Sequence, residues 1–211
     1  MKRPGPRGWW AVLAVASAAV CASAAEPLGS ISGTVRTALG PALPLAKVGP
    51  VVVFLAAPER AQPFPTPPDE PEISQKGAHF EPPFLLVTAG QTVRIPNDDS
   101  IMHNAFSYSK PNAFDLGLYP KGDARTITVR EPGAIRIFCS IHKTMNAVIF
   151  ATPTPWHALA AEDGRFRLAD VPAGRYTIST WNERLPPATA SVEVGADETI
   201  DVPLVISSSG G

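Results

Sequence analysis

Residues 134–145 read Ala-Ile-Arg-Ile-Phe-Cys-Ser-Ile-His-Lys-Thr-Met. The first half alternates. Ile135, Ile137 and Cys139 fall on one face of an extended chain and Arg136 on the other, because side chains alternate sides along a strand. The stretch predicts a half-buried strand over 134–139 that runs out into a loop at Ser140. Cys139 points where the core residues point, at the last position before that loop.

Short apolar runs of the same kind lie on both sides. Residues 84–87, 92–95, 126–129 and 147–151 each read as strands. Turn residues bound several of them: Ala89-Gly90, Asn97-Asp98-Asp99 and Pro132-Gly133. Further out, residues 30–36 alternate apolar and polar, and Leu39-Gly40-Pro41 is a turn. Residues 51–55 form a continuous β-branched run that reads as a buried strand. Prolines 63, 65, 67, 68 and 71 deny ladder hydrogen bonds, so 58–71 is an extended connector.

Beyond Pro153 and Pro155 come a turn at Glu162-Asp163-Gly164 and an alternating run around Phe166 and Leu168. A second turn follows at Val171-Pro172-Ala173-Gly174. Strand signals then recur at Tyr176 and Ile178, at Val192 and Val194, and at Ile200, Val202 and Leu204. Residues 207–211 read as a flexible tail.

Composition agrees. Of 211 residues, 24 are Pro and 16 are Gly, a density that argues for many short strands joined by turns. No segment past the N-terminus carries a helical period. Apolar residues make up 45%, enough to bury a core, and the length suits one large domain or two small ones. The net charge of −1 provides no basic excess for nucleic acid or an anionic membrane face.

The N-terminus reads as an export signal over 1–25. Lys2, Arg3 and Arg7 precede an apolar stretch, and Ala22-Ser23-Ala24 forms a small-residue cleavage pattern. The apolar run of 17 residues from Trp9 to Ala25 is short for a membrane span. A lipid anchor at Cys21 is disfavoured by the bulk of Val20. Cleavage leaves 15 basic against 19 acidic residues and no membrane attachment. It also removes Cys21, so Cys139 stands alone in an oxidising, periplasmic compartment. A thiol there is a liability unless it is buried or bound to something.

The loop supplies candidates for binding. Cys139, His142 and Met145 place a thiolate, an imidazole and a thioether within seven residues. These donors suit copper that cycles between its singly and doubly charged states. A second imidazole must come from elsewhere, and His103, in a neighbouring strand, can supply it. Two His and one Cys form a trigonal plane with a long axial Met, an electron-transfer copper geometry. The plain alternative is a buried free cysteine beside a packed His and Met. The upstream His-Asn pair in a strand-rich exported chain argues against it.

His79 and His157 read as packed or surface residues. With the other two assigned, they are too few for a catalytic copper centre built on several His. Asp98 and Asp99 are adjacent in a turn, where capping or solvation explains them better than acid–base chemistry. No Ser-His-Asp ordering and no phosphate loop is present. The chain therefore reads as a non-enzyme.

Residues 72–152 resemble the cupredoxin family of small blue copper proteins, and the spacing of the ligand loop is most similar to the amicyanins. That resemblance rests on Cys139, His142 and Met145 in their spacing with His103-Asn104 upstream; Phe80 to Pro82, Ile95-Pro96-Asn97-Asp98-Asp99, His103 to Ser109, Phe114-Asp115-Leu116-Gly117-Leu118-Tyr119, Cys139 to Met145 and Asp163-Gly164-Arg165-Phe166 carry a wider one. The wider pattern is similar to bacterial periplasmic groups labelled plastocyanin-like or methylamine-utilisation-like. The resemblance implies a Greek-key sandwich with one type 1 copper held by His103, Cys139, His142 and Met145. It implies that Asn104 ties the ligand loop around the thiolate. It further implies that His142 is the electron port, with Met102 and Ile141 forming an apolar patch where a redox partner docks.

The flanks resemble a second family, the carboxypeptidase-regulatory-like, transthyretin-like sandwich. The motifs are Gly33-Thr34-Val35 with Val51-Val52-Val53, then Asp163-Gly164-Arg165-Phe166-Arg167-Leu168 and Val171-Pro172-Ala173-Gly174-Arg175-Tyr176. Such modules serve structural or interaction roles. Trp181-Asn182 departs from the Trp-His that the copper group often carries. Neither 26–57 nor 153–206 has enough strands to bury a core alone. The expectation is an all-β chain with two sandwiches, the second formed by pairing those two segments. The rivals to electron transfer are a copper carrier or chaperone and a structural interaction module.

Overall fold

Alternation in residues 134–139 becomes the central strand of a sheet. The structure is a computed structural model, and it describes residues 27–38, 44–56 and 64–207. The expected export signal over 1–25, Cys21, part of the connector and residues 208–211 lie outside the described residues. Among the described residues there is no α-helix, only one 3-10 turn at Leu45–Lys47. No helix among them is long and apolar enough to cross a membrane.

The first strands are β1 (Leu28–Thr37), β2 (Val52–Leu55), β3 (Ser74–Lys76) and β4 (His79–Glu81). There follow β5 (Phe84–Thr88), β6 (Thr92–Pro96), β7 (His103–Ser107), β8 (Phe114–Tyr119) and β9 (Ala124–Thr128). Then come β10 (Gly133–Phe138) and β11 (Asn146–Thr152). One five-stranded sheet runs β5-β11-β10-β7-β8. The β6–β9 pair lies apart from it in hydrogen bonding, and β3 and β4 form a hairpin. β5 runs parallel to β11, while the other neighbours in the sheet are antiparallel. Ile135 and Ile137 are fully buried and Arg136 is exposed, as the alternation requires. They join Ile73, Val93, Ile95, Ile149 and Cys139 in one apolar core.

The remaining strands are β12 (His157–Leu159), β13 (Arg165–Pro172), β14 (Gly174–Trp181), β15 (Thr189–Val194), β16 (Thr199–Asp201) and β17 (Leu204–Ile206). β1 is central to one sheet, antiparallel to β13 and parallel to β16 and β17. β2 sits between β12 and β14 in a second sheet that β15 completes. A separate core joins Ile31, Val35, Val53 and Leu55 to Phe166, Leu168, Tyr176 and Ile178. The N- and C-terminal segments thus build a second small sandwich together. The Asp163-Gly164 turn makes this pairing tight. Gly164 has φ +86, and a Cβ there would meet the Val35 carbonyl oxygen at 2.2 Å. With glycine in place, the Val35 N–H donates to the Gly164 carbonyl at 2.8 Å. Nearby, the Tyr176 hydroxyl donates to the Pro172 carbonyl at 2.8 Å and closes the next turn.

Both chain crossings between the sandwiches meet at residues 88–91. The Gln91 amide donates to the Asp69 carbonyl at 3.3 Å, and the Ala89 N–H to the Thr152 carbonyl at 2.9 Å. The Thr154 hydroxyl donates to the Leu55 carbonyl at 2.7 Å. Trp181 stacks on Phe150 at 4.2 Å between ring centroids and on Phe84 at 5.8 Å. His157 is half-buried here, with Nε2 3.1 Å from the Thr88 hydroxyl. Burial holds its pKa below the ordinary value, against the nearby Asp69 charge. Asn182 donates to the Val48 and Pro50 carbonyls and accepts from the Arg184 and Leu185 N–H groups, which explains a satisfied amide at that position.

Deleting residues 1–56 removes the strand at the middle of each sheet of the second sandwich. In such a fragment the amide resonances of 165–206 are expected to collapse toward random-coil positions. Those of 84–152 should stay dispersed. Retained dispersion in 165–206 would show that β1 and β2 are not needed for that core.

Candidate metal centre

Cys139 follows β10 directly, and the loop back to β11 spans six residues, 140–145. The loop is closed by its own backbone. The Met145 N–H donates to the His142 carbonyl at 2.9 Å, and the Cys139 N–H donates to the Met145 carbonyl at 3.2 Å. Met145 is almost fully buried and belongs to the apolar core. β7 lies beside β10 in the sheet, with Phe106 opposite Phe138. That pairing brings His103, 36 residues upstream, to Cys139: His103 Nδ1 lies 3.8 Å from Cys139 Sγ.

His142 completes the group. One donor atom from each of His103, Cys139 and His142 lies within 4.8 Å of the others. The two imidazole centroids are 4.9 Å apart. His142 Nδ1 is buried and has no hydrogen-bond partner. An orphaned nitrogen in a buried site costs free energy unless something binds it. His103, by contrast, has Nε2 2.9 Å from Asp99 Oδ2, which leaves Nδ1 facing the sulfur.

Asn104 holds the loop from the strand side. Its Oδ1 accepts from the Ser140 N–H at 2.8 Å and from the Ser140 hydroxyl at 2.9 Å. Burial pushes the Cys139 thiol up. The N–H groups of His142, Asn104 and Ile141 outweigh it, and the pKa falls from 9.0 to about 7. A buried sulfur is thus kept close to its thiolate form, the species that binds metals.

Of the other residues singled out in the sequence, His79 is exposed, with Nδ1 2.7 Å from the Gly77 carbonyl, and it does not join the group. His157 lies at the seam between the sandwiches. Asp98 accepts from the Ser74 hydroxyl at 2.7 Å, a bond to the β3–β4 hairpin and not within its own turn. Asp99 does more than cap. Its bonds from His103 first, and from the Ala78 and Ser100 N–H groups, hold its carboxyl at about 2. The visible signal for this pairing is the four-residue spacing from Asp99 to His103 across a turn.

No family model matches this chain, and no curated protein matches it. Solved structures do. A purple cupredoxin from Nitrosopumilus maritimus is 23% identical, over 39% of this chain and 100% of that one, with a TM-score of 0.36. Amicyanin from Paracoccus versutus is 23% identical, over 47% of this chain and 96% of that one, with a TM-score of 0.36. A copper-containing nitrite reductase from Thermus scotoductus SA-01 is 23% identical, over 56% of this chain and 28% of that one, with a TM-score of 0.38. The last of these corrects the reading of the chain as a non-enzyme. An enzyme stands among the similar structures, and the lack of a familiar catalytic motif does not exclude catalysis.

The thiol pKa is directly measurable. In copper-free protein, the thiolate absorbance of Cys139 should titrate with a midpoint near pH 7. The folded value lies below the unfolded one. Its contribution to stability is therefore fully present above about pH 9 and is lost as pH falls through about 7. A midpoint at 8.5 or above would show that the surrounding N–H groups do not reach the sulfur.

Proposed function

We propose that this chain is an exported protein that holds one copper ion among His103, Cys139, His142 and Met145 and transfers single electrons. The observation that carries the reading is the convergence of a buried low-pKa thiol with two imidazoles, one of which has a buried nitrogen without a partner. A thiolate with two imidazoles and a nearby thioether is a soft donor set suited to copper. When bound, the ion supplies a reversible one-electron couple.

The chain's own groups do the rest. Cys139 is about half thiolate at neutral pH, so binding would release fewer protons than at an ordinary thiol. Asn104 and the backbone bonds of the loop keep Cys139, His142 and Met145 from spreading apart between oxidation states. Met145 would offer the ion a thioether sulfur, and that weak donor would tune the potential. Ile101 and Met102, in the turn before His103, and Ile141, next to His142 in the loop, are each nearly half exposed. A redox partner protein docks on this face, where the electron has the shortest way out. The second sandwich, read as a carboxypeptidase-regulatory-like module, serves as scaffold and interaction surface. The N-terminal signal directs the chain to the periplasm.

Titration of the full chain with copper should end at one equivalent and produce an intense visible thiolate-to-copper band. Cys139→Ala should abolish the band and leave thermal unfolding within about 1–2 kcal/mol of wild type. Copper bound without that band would defeat the reading. Reversible cycling with both states retained separates an electron carrier from a protein that delivers copper and releases one state.

Met145→Leu should keep copper and colour but raise the reduction potential, since a weakly bound thioether would favour the oxidised ion over an aliphatic group. An unchanged potential would remove Met145 from the ligand set.

A further inference from the structure

Asp99 sits in the turn that precedes β7, four residues before His103, and it is far more constrained than a solvated turn acid. Asn97 shapes the turn. Its Oδ1 accepts from the Asp99 N–H at 2.9 Å, and its amide donates to the Ile101 and Tyr119 carbonyls, each at 2.9 Å. The two carboxylate oxygens then divide their work. Oδ1 accepts from the Ser100 N–H at 2.8 Å. Oδ2 accepts from the Ala78 N–H at 2.8 Å and lies 2.9 Å from His103 Nε2.

The chemistry of the last contact has one direction. An ionised carboxylate only accepts, so the hydrogen must sit on Nε2. A neutral imidazole carries one ring hydrogen, so Nδ1 keeps its lone pair. Nδ1 is the nitrogen that faces Cys139 Sγ. The His103 side chain is completely buried, so water does not compete for either nitrogen.

Ala78 explains how Asp99 is held. It lies at the tip of the β3–β4 hairpin, where Gly77 has φ 58 and Ala78 has φ 57. A two-residue hairpin of this hand wants glycine, asparagine or aspartate, and alanine there is strained. The strained residue's N–H is the one that donates to Asp99. The hairpin is docked on the same turn twice more, by Ser74 on Asp98 and by the Asp98 N–H on the Gln75 carbonyl at 2.9 Å. The hairpin is thus part of the machinery that aims His103.

We infer that Asp99, held by the β3–β4 hairpin, is the positioning residue that selects Nδ1 of His103 as the nitrogen offered to the Cys139 cluster. For copper the inference rests on the reading given above, but the tautomer itself does not. The test therefore has two arms, both on the full chain with Asp99→Ala and Asp99→Asn. In the copper-free protein at pH 7.5, long-range 1H–15N spectra should show His103 as a single Nε2–H tautomer. Asp99→Ala should introduce the Nδ1–H form, and Asp99→Asn, which keeps an acceptor oxygen, should restore most of the Nε2–H form. With copper, Asp99→Ala should weaken affinity about 10- to 100-fold, with Asp99→Asn closer to wild type. A wild-type Nδ1–H tautomer overturns the inference. So does an Asp99→Ala protein that folds and keeps both tautomer and affinity. If wild type shows the Nε2–H tautomer but binds no copper, the copper reading fails and the inference stands on the tautomer arm.

Discussion

Everything in the site depends on one strand pairing, that of β7 with β10. The 139–145 loop on its own brings Cys139, His142 and Met145 together, because they are close in sequence. It cannot offer His103. The pairing of Phe138 with Phe106 sets the register that lays His103 against the sulfur. A one-residue slip would turn His103 to the other face of the sheet and separate the two donors. Register is therefore chemistry here. It is defended by a buried inner face, where Ala105, Ile135 and Ile137 pack, and by the Asn104–Ser140 bonds at its end.

Beneath the donors lies a polar layer that an apolar core would not need. Asn97, Gln75 and Tyr119 are fully buried and bond to one another's strands: the Gln75 amide to the Tyr119 hydroxyl, that hydroxyl to the Ile95 carbonyl at 3.0 Å, and Asn97 to Tyr119's carbonyl. Buried polar groups of this kind demand specific geometry, since each lost partner costs roughly 1–3 kcal/mol. Tyr119 stands opposite His103 in the β7–β8 register. Burial pushes its hydroxyl up to about 12, so it remains a neutral donor at any working pH. The layer fixes the turn from 97 to 101, and that turn carries Asp99.

Much of this was legible in the residues. Alternation in 134–139 is a local property, and it survives folding because the inner face needs Ile135 and Ile137. The Asp163-Gly164 and Val171–Gly174 turns were legible because each obeys backbone rules that do not depend on distant partners. The pairing of the flanking segments followed from strand counting, since neither could cover its own apolar face. What was not legible is long-range and polar. Asp99 reads as a turn residue until the turn's path shows its oxygen at His103. The Gly77-Ala78 tip carries no hairpin signature, because alanine at positive φ is selected by its docking and not by its propensity. The stacking of Trp181 on Phe84 joins residues with no pattern in common. The non-enzyme reading failed for another reason: too few histidines for one kind of copper centre says nothing about other kinds of catalysis.

The seam with the second sandwich bears on why the site can stay rigid. Phe150 stands opposite Ala134 in the β10–β11 hairpin, while the 139–145 loop leaves the hairpin beyond Phe138 and Asn146. Four residues of strand, about 13 Å at 3.3 Å per residue, separate the two. Trp181 covers Phe150 and Phe84 on the sheet's outer face, and Arg136, in one row with Val148 and Phe84, bonds to Glu183 at 3.1 Å. The second sandwich thus clamps β5, β11 and β10 without reaching the donors. A module attached only by its linkers would leave two phenylalanines in water. Packed as it is, it removes that apolar area and stiffens the strands that carry the loop.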